Sequence, residues 1–174
     1  MSDRPPLEKV LPRGQTVVPR MVQIHFDGAC EPPRGGGVAT FGFTVEGAGF
    51  EHEDGGLAVP PGSPRATNNV AEYAGAIRAL EWLLAQGYQG PVLVIGDSQL
   101  VIRQMSGEYE VRAEHLKAYH ERLTQLAREF QEVQFQWVPR ERNTRADELS
   151  KQAIMRARAT GLKAFRVTDP EPEP

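Results

Sequence analysis

The run Pro91-Val92-Leu93-Val94-Ile95-Gly96 constrains the fold more than any other stretch of the chain. It is short, lacks polar alternation and ends in glycine, the pattern of a strand buried on both faces. Such strands belong to sheets covered by helices on either side, and parallel neighbours need crossover connections of a dozen residues or more. The flanking segments supply them. Upstream, Val70, Tyr73, Ile77, Leu80 and Leu84 form one apolar stripe at helical spacing, with Thr67 or Asn68 as the N-cap and an end near Gly87. Downstream, Asp97-Ser98 leads into a short helix, Gln99 to Met105, closed by Gly107. A longer helix over about 113–130 turns Leu116, Leu123, Leu126 or Ala127, and Phe130 inward.

The N-terminal third reads differently. Val22, Ile24 and Phe26 alternate with Gln23, His25 and Asp27, which predicts a strand with Asp27 at or near its carboxyl end. Val38 to Val45 is a second strand, Gly47-Ala48-Gly49 a turn, and Phe50 to about Val59 a weaker third, giving an antiparallel meander. Val133 to Val138 alternates as a fifth strand, with Phe135 and Trp137 on one face, and both Trp82 and Trp137 read as core or near-core. A last helix runs from Thr144 to about Ala159 with Asn143 as its cap. The expected fold is α/β, a five-stranded mixed sheet of three antiparallel strands plus two parallel crossover strands, covered by helices. Residues 1–20, with four prolines, read as a flexible arm; 21–162 form the domain; 163–174 are a tail, disordered at least from 168.

A chain of 174 residues suits one domain with a sizeable core. A net charge of −3 gives no global nucleic-acid signature, although a local groove can still be basic. Cys30 is the only cysteine, so internal disulfides and thiolate-rich zinc sites are excluded. No apolar run approaches the roughly 20 residues that span a bilayer, and the N-terminus has no apolar signal core. The expectation is a cytoplasmic monomer with no membrane contact and no obligate protein partner.

The acids carry the chemistry. Asp27 ends the first strand and Asp97 follows the buried run; if those strands are adjacent and parallel, both carboxylates enter one crevice beyond the strand ends. Glu72 and Asp147 are expected in the first turns of their helices, where the dipole favours an acid. Each placement has an ordinary explanation, since Asp-Gly is a turn signal and Asp97 could serve as a cap. Four acids at one end of one sheet are harder to explain structurally. Gathered carboxylates repel and need cations or raised pKa values to coexist. Oxygen-only ligands suit Mg²⁺, and two such ions roughly 4 Å apart clamp in-line displacement at phosphorus. The pattern points to metal-dependent phosphodiester hydrolysis. No two of the four histidines have metal-ligand spacing, and Cys30 has no evident His partner to make it a nucleophile.

Four motifs, taken together, resemble the type 1 ribonuclease H family: Phe26-Asp27-Gly28-Ala29-Cys30-Glu31-Pro32, Thr67-Asn68-Asn69-Val70-Ala71-Glu72-Tyr73, Gly96-Asp97-Ser98-Gln99-Leu100-Val101-Ile102 and Asn143 through Ser150. The resemblance spans about residues 21–160 in the family's order. It implies the ribonuclease H-like fold and endonucleolytic hydrolysis of the RNA strand of RNA–DNA hybrids, leaving 5′-phosphate and 3′-hydroxyl ends. It also implies two Mg²⁺ ions (or Mn²⁺) per site with substrate bound. By similarity Asp27 bridges both ions, Glu72 and Asp97 hold the ion on the leaving-group side, and Asp147 holds the other. The 2′-hydroxyl that marks RNA needs short donors and acceptors near the metals, and Asn68, Asn69, Gln99 and the backbone of Gly28, Ala29 and Cys30 match such family positions.

Two departures stand out. Many members carry a histidine before the last aspartate, whereas Pro139 to Ala146 contains none, and Glu141 or Arg142 is a candidate for part of its role. The chain is similar to the compact subgroup that also lacks a basic helical protrusion. Pro33-Arg34-Gly35 stands where relatives often place an asparagine near the substrate. Arg140, Arg142 and Arg145 crowd a helix N-terminus, where cations are unfavourable; they are either a solvated, partly paired loop or phosphate contacts, Arg142 above all. The competing functions are a nuclease of the same fold acting on RNA duplex or junctions, a non-catalytic hybrid-binding module, and a small-molecule phosphatase.

Overall fold

In the computed structural model the described residues are 21–33 and 35–160, with the backbone of 9–10 and 16–17. Lys9–Val10 and Thr16–Val17 pair as a separate antiparallel ribbon; the rest of the expected arm, Arg34 and the expected tail lie outside the described residues. The main sheet holds β1 (Val22–Glu31), β2 (Val38–Gly47), β3 (Phe50–Leu57), β4 (Pro91–Gly96) and β5 (Glu132–Trp137). Helices α1 (Asn68–Ala85), α2 (Gln99–Met105), α3 (Glu114–Ala127) and α4 (Thr144–Ala159) cover it. The strand order is β3-β2-β1-β4-β5, with β1–β2 and β2–β3 antiparallel and β1–β4 and β4–β5 parallel. The meander, the two crossovers and the adjacency of β1 and β4 therefore stand as the patterns predict. Among the described residues no helix is long and apolar enough to cross a membrane.

The core lies between the sheet and α1, with α3 behind it. Ile24, Phe26, Phe43, Val45, Val94, Tyr73, Ile77, Leu80 and Leu123 are buried at or near zero exposure. Each such side chain contributes about 1.5–3 kcal/mol by burial, against at most about 1 kcal/mol for an exposed ion pair, so this layer dominates stability. Tyr73 is held in this core, where its hydroxyl donates to Gln104 Oε1 at 2.6 Å. Leu83, not Leu84, completes the α1 stripe. Alanines at 71, 74, 76 and 79 let α1 sink into the sheet on nearly every side, which is why a narrow stripe misplaces its last member.

Three expectations are corrected. β1 does not end at Asp27: it continues to Glu31 because β2 keeps pairing with it, Asp27 opposite Gly42 and Glu31 opposite Val38. Its parallel pairing with β4 stops one residue earlier, at Phe26–Gly96, so Asp27 is open on that side alone. Trp137 is 42% exposed rather than core, because β5 is an edge strand without a helix over that position; its Nε1–H donates to the Asp97 carbonyl at 3.1 Å. Glu72 lies beyond the first turn of α1, since Thr67 is the cap and accepts from the Val70 N–H at 3.2 Å. The helix dipole therefore does not account for an acid there.

Candidate active site

Two close approaches bring the acids together. A Cβ on Gly28 would stand 2.4 Å from the carbonyl carbon of Ala71 and 2.4 Å from the Glu72 nitrogen. Only glycine lets β1 and α1 touch here, and that contact sets Glu72 beside Asp27. On the other face, a Cβ on Gly42 would meet the Ala146 oxygen at 2.5 Å and the Ser150 nitrogen at 2.6 Å. Thr40 Oγ1 donates to the Ser150 carbonyl at 2.6 Å beside it. These contacts seat α4 on β2, and they bring Asp147 into the cleft. Asp97 arrives from the end of β4, and because Ser98 caps α2 by accepting from the Val101 N–H, the Asp97 side chain is free for the cleft.

Oxygens of Asp27, Glu72 and Asp97 lie within 4.8 Å of one another. They line a cleft of about 460 Å³ that Asp147, Lys151 and Arg140 also border. Asp27 and Glu72 are buried, and Glu72 Oε1 has no hydrogen-bond partner. Burial pushes the Asp27 carboxyl up to about 7, reinforced by the Asp97 charge. Glu72 is raised well above the ordinary range by burial and then by Asp27. Burial also raises Asp97, with an Asn143 hydrogen bond opposing it. Crowded in this way, the carboxylates hold protons, or any other positive charge, more tightly than free acids do.

Asp147 behaves differently. Burial raises it, but Lys151 Nζ at 3.0 Å, a hydrogen bond from Asp27 and Arg140 outweigh that and hold it below the usual carboxylate range. Arg140 approaches the other carboxylate oxygen at 3.7 Å.

The remaining expected residues divide. Gly28, Ala29, Cys30, Asn68 and Asn69 line the same cleft. Since Thr67 serves as the cap, Asn68 is released from that duty, and both asparagines are exposed at the start of α1. Gln99 is exposed at the first position of α2 but outside the cleft wall, and Arg142 lines a separate groove of about 660 Å³ with His25 and Glu46, behind the start of α4. Cys30 is a strand residue whose Sγ donates to the carbonyls of Ala66 and Pro32. Burial raises its pKa, which disfavours the thiolate form. Arg145 is engaged by Glu53 and Glu148, which is the paired-loop reading for that arginine.

A family model described as reverse transcriptase-like matches residues 54–153, more than half of the chain. That span holds Glu72, Asp97 and Asp147 but not Asp27. The chain is 35% identical over 136 residues to ribonuclease HI of Halobacterium salinarum, covering 76% of this chain and 64% of that protein. A crystal structure of RNase H1 from the same archaeon is matched with a TM-score of 0.68 at 35% identity, over 79% of this chain and 99% of that one. The chain belongs to the type 1 ribonuclease H family. LC11-RNase H1, solved in complex with an RNA/DNA hybrid, is similar at a TM-score of 0.69 and 35% identity, over 78% of this chain and 98% of that one. The bifunctional protein Rv2228c of Mycobacterium tuberculosis is 42% identical over 90 residues, 52% of this chain. The chain spans about a quarter of the length of that relative, 24%.

Within this ribonuclease H domain, sequence reasoning missed Lys151 at the site and misplaced the roles of Arg140 and Asn143. Lys151 lies four residues after Asp147 on α4, a spacing that was available as a signal. Arg140, not Arg142, is the loop arginine at the cleft, because the short turn Arg140–Arg142 carries the latter past the helix start. Asn143 leaves α4 uncapped by its side chain, which instead donates from Nδ2 to the Phe26 carbonyl at 2.8 Å. Between α2 and α3 only residues 106–113 intervene, so no helical protrusion is inserted there.

Proposed function

We propose that the chain is a metal-dependent endoribonuclease that hydrolyses the RNA strand of RNA–DNA hybrids. The observation that carries this reading is the set of Asp27, Glu72 and Asp97 oxygens within 4.8 Å of one another, the first two buried, in a ribonuclease H domain. The donor set fits hard divalent cations. It is all oxygen, one Glu72 oxygen is buried without a partner, and crowding raises the acids' affinity for positive charge. Mg²⁺, or Mn²⁺ in its place, would be held as two ions with substrate bound: Asp27 bridging, Glu72 and Asp97 on the leaving-group side, Asp147 on the attacking side. Bound there, such ions polarise the phosphate and supply a nucleophile at neutral pH, with 5′-phosphate and 3′-hydroxyl products.

The chain's own residues prepare that chemistry. Lys151 and Arg140 keep Asp147 ionised and ready to coordinate. Gly28 holds the Asp27–Glu72 pair in contact range. Asn68, Asn69 and Gln99, with the backbone of Gly28, Ala29 and Cys30, would read the 2′-hydroxyl that distinguishes RNA. The likeness to LC11-RNase H1, solved with an RNA/DNA hybrid, supports that substrate class. Arg142 would contact phosphate from outside the acid cleft. We assign the activity to a single copy of the chain in the cytoplasm, where a lone cysteine is suited to a reducing compartment.

The test uses labelled RNA–DNA hybrid, RNA duplex and DNA duplex, with Mg²⁺ or chelator, beside Asp97→Asn. Metal-dependent cutting of the hybrid's RNA strand alone is expected, with at least a 100-fold loss in the variant. Cutting of RNA duplex at the same rate would reassign the substrate, and a fully active Asp97→Asn would remove the assigned site.

A further inference from the structure

Helix α4 begins at a residue that does not cap it. Asn143 occupies the N-cap position, where asparagine ordinarily accepts a hydrogen bond from the second or third helical N–H, yet its side chain makes no such bond. The side chain enters the sheet instead and is 1% exposed. Its Nδ2 donates to the carbonyl of Phe26 at 2.8 Å, the residue before Asp27 and the last of β1 to pair with β4. The same side chain opposes the rise that burial gives the Asp97 carboxyl. Its Oδ1 stays buried with no partner. An unused cap and an unpaired buried oxygen both lower stability, so a residue serving only its helix would sit the other way. Backbone contacts reinforce the same point: Trp137 Nε1–H donates to the Asp97 carbonyl at 3.1 Å and the Val138 N–H to the Gly96 carbonyl at 3.0 Å.

We propose that Asn143 is a positioning residue for metal binding: it ties the start of α4 to the ends of β1 and β4, holding Asp97 in register with Asp27 before any cation arrives. The inference rests on the metal-dependent reading of the site given above. Asn143 touches neither substrate nor reacting atoms; it acts through the Phe26 carbonyl, at the point where β1 pairs with Gly96 just before Asp97. Outer partners of metal ligands typically govern 10–100-fold in metal affinity or activity.

Asn143→Ser and Asn143→Ala separate this role from helix capping. Serine is a good N-cap but too short to reach the Phe26 carbonyl, whereas alanine neither caps nor reaches. Mn²⁺ binding to the substrate-free protein is measured by calorimetry, and kcat and KM on RNA–DNA hybrid at saturating Mg²⁺, below the thermal transition of both variants. Both are expected to bind Mn²⁺ about 10–100-fold more weakly and to need correspondingly more Mg²⁺, with KM for hybrid within about twofold of wild type. Losses in the alanine variant that the serine variant restores would assign Asn143 to capping and overturn the proposal. So would wild-type Mn²⁺ affinity in both. Asp97→Asn serves as the control: if it cleaves hybrid like wild type, the reading of the site fails; if it is inactive while both Asn143 variants match wild type, this inference alone fails.

Discussion

Replacing Asp27 by asparagine should stabilise the metal-free protein while abolishing metal-dependent activity. In the folded state Asp27 is held near pH 7 instead of its ordinary 3.8, first by burial and then by neighbouring acids. The folded protein therefore keeps a proton that the unfolded chain releases between about pH 4 and 7. Such a group leaves stability intact at low pH and lowers it as pH rises through the folded value. The gap between 3.8 and about 7, at 1.36 kcal/mol for each pH unit, sets a ceiling of about 4 kcal/mol at pH 8 and less than half of that at pH 5. Asparagine removes the charge and relieves Glu72, whose pKa Asp27 raises, but its amide must still be desolvated. A net gain of about 2 kcal/mol at pH 8 is expected, or about 4–8 °C in Tm for a domain of this size.

Urea titrations of both proteins in chelator at pH 8 and pH 5 measure this. Asp27→Asn should be the more stable at pH 8, and its advantage should shrink by at least half at pH 5. Adding Mg²⁺ should stabilise wild type and leave the variant unmoved, because a cation that binds only the folded site adds to stability by mass action. A variant less stable than wild type in chelator at pH 8 would refute the reasoning. So would an advantage that ignores pH, since the strain assigned to the crowded acids would then lie elsewhere.

Other outcomes follow from the same geometry. Gly28→Ala forces a Cβ to within 2.4 Å of backbone atoms of α1, so a loss of about 3 kcal/mol or more is expected by urea denaturation, with hybrid cleavage falling even where the protein stays folded. Thr67→Ala removes the α1 cap and should lower the urea-derived stability by about 1 kcal/mol; no change would mean that Asn68 caps in its place. Ala48 has φ 52 in the two-residue turn between β2 and β3, where L-residues are strained. Ala48→Gly should therefore raise stability by about 0.5–1 kcal/mol in a thermal melt, and a lower Tm would contradict the strain. Arg142→Ala should flatten the salt dependence of hybrid binding by about one unit of log–log slope, and an unchanged slope would leave Arg142 without a phosphate contact.

What the sequence made legible is what depends on period and chain order. The unbroken apolar run of β4 demanded helices on both faces, and alternation in β1 and β2 announced a meander, because side-chain periodicity is written locally. The acids were legible because pattern put each near a strand end or a helix start, although Asp27 lies inside β1 and Glu72 beyond the first turn of α1. What stayed hidden depends on who takes a shared job. Thr67 and Asn68 were both able to cap α1; the choice of Thr67 moved Glu72 out of the first turn and freed Asn68 to face the cleft. Asn143 was read as a cap because residue type and position both said so, and its side chain is instead spent on the Phe26 carbonyl, 117 residues away in sequence. No local rule reports a bond across that separation. Trp137 likewise satisfied the alternation of β5, and only the strand order shows that β5 is an edge that leaves it open beside Asp97. The acids are thus given by sequence pattern, whereas the groups that aim them come from the topology that joins β1, β4 and α4 at one point. The variants most informative about catalysis are therefore those at Gly28 and Asn143, where no charge is altered and only the aim of the acids changes.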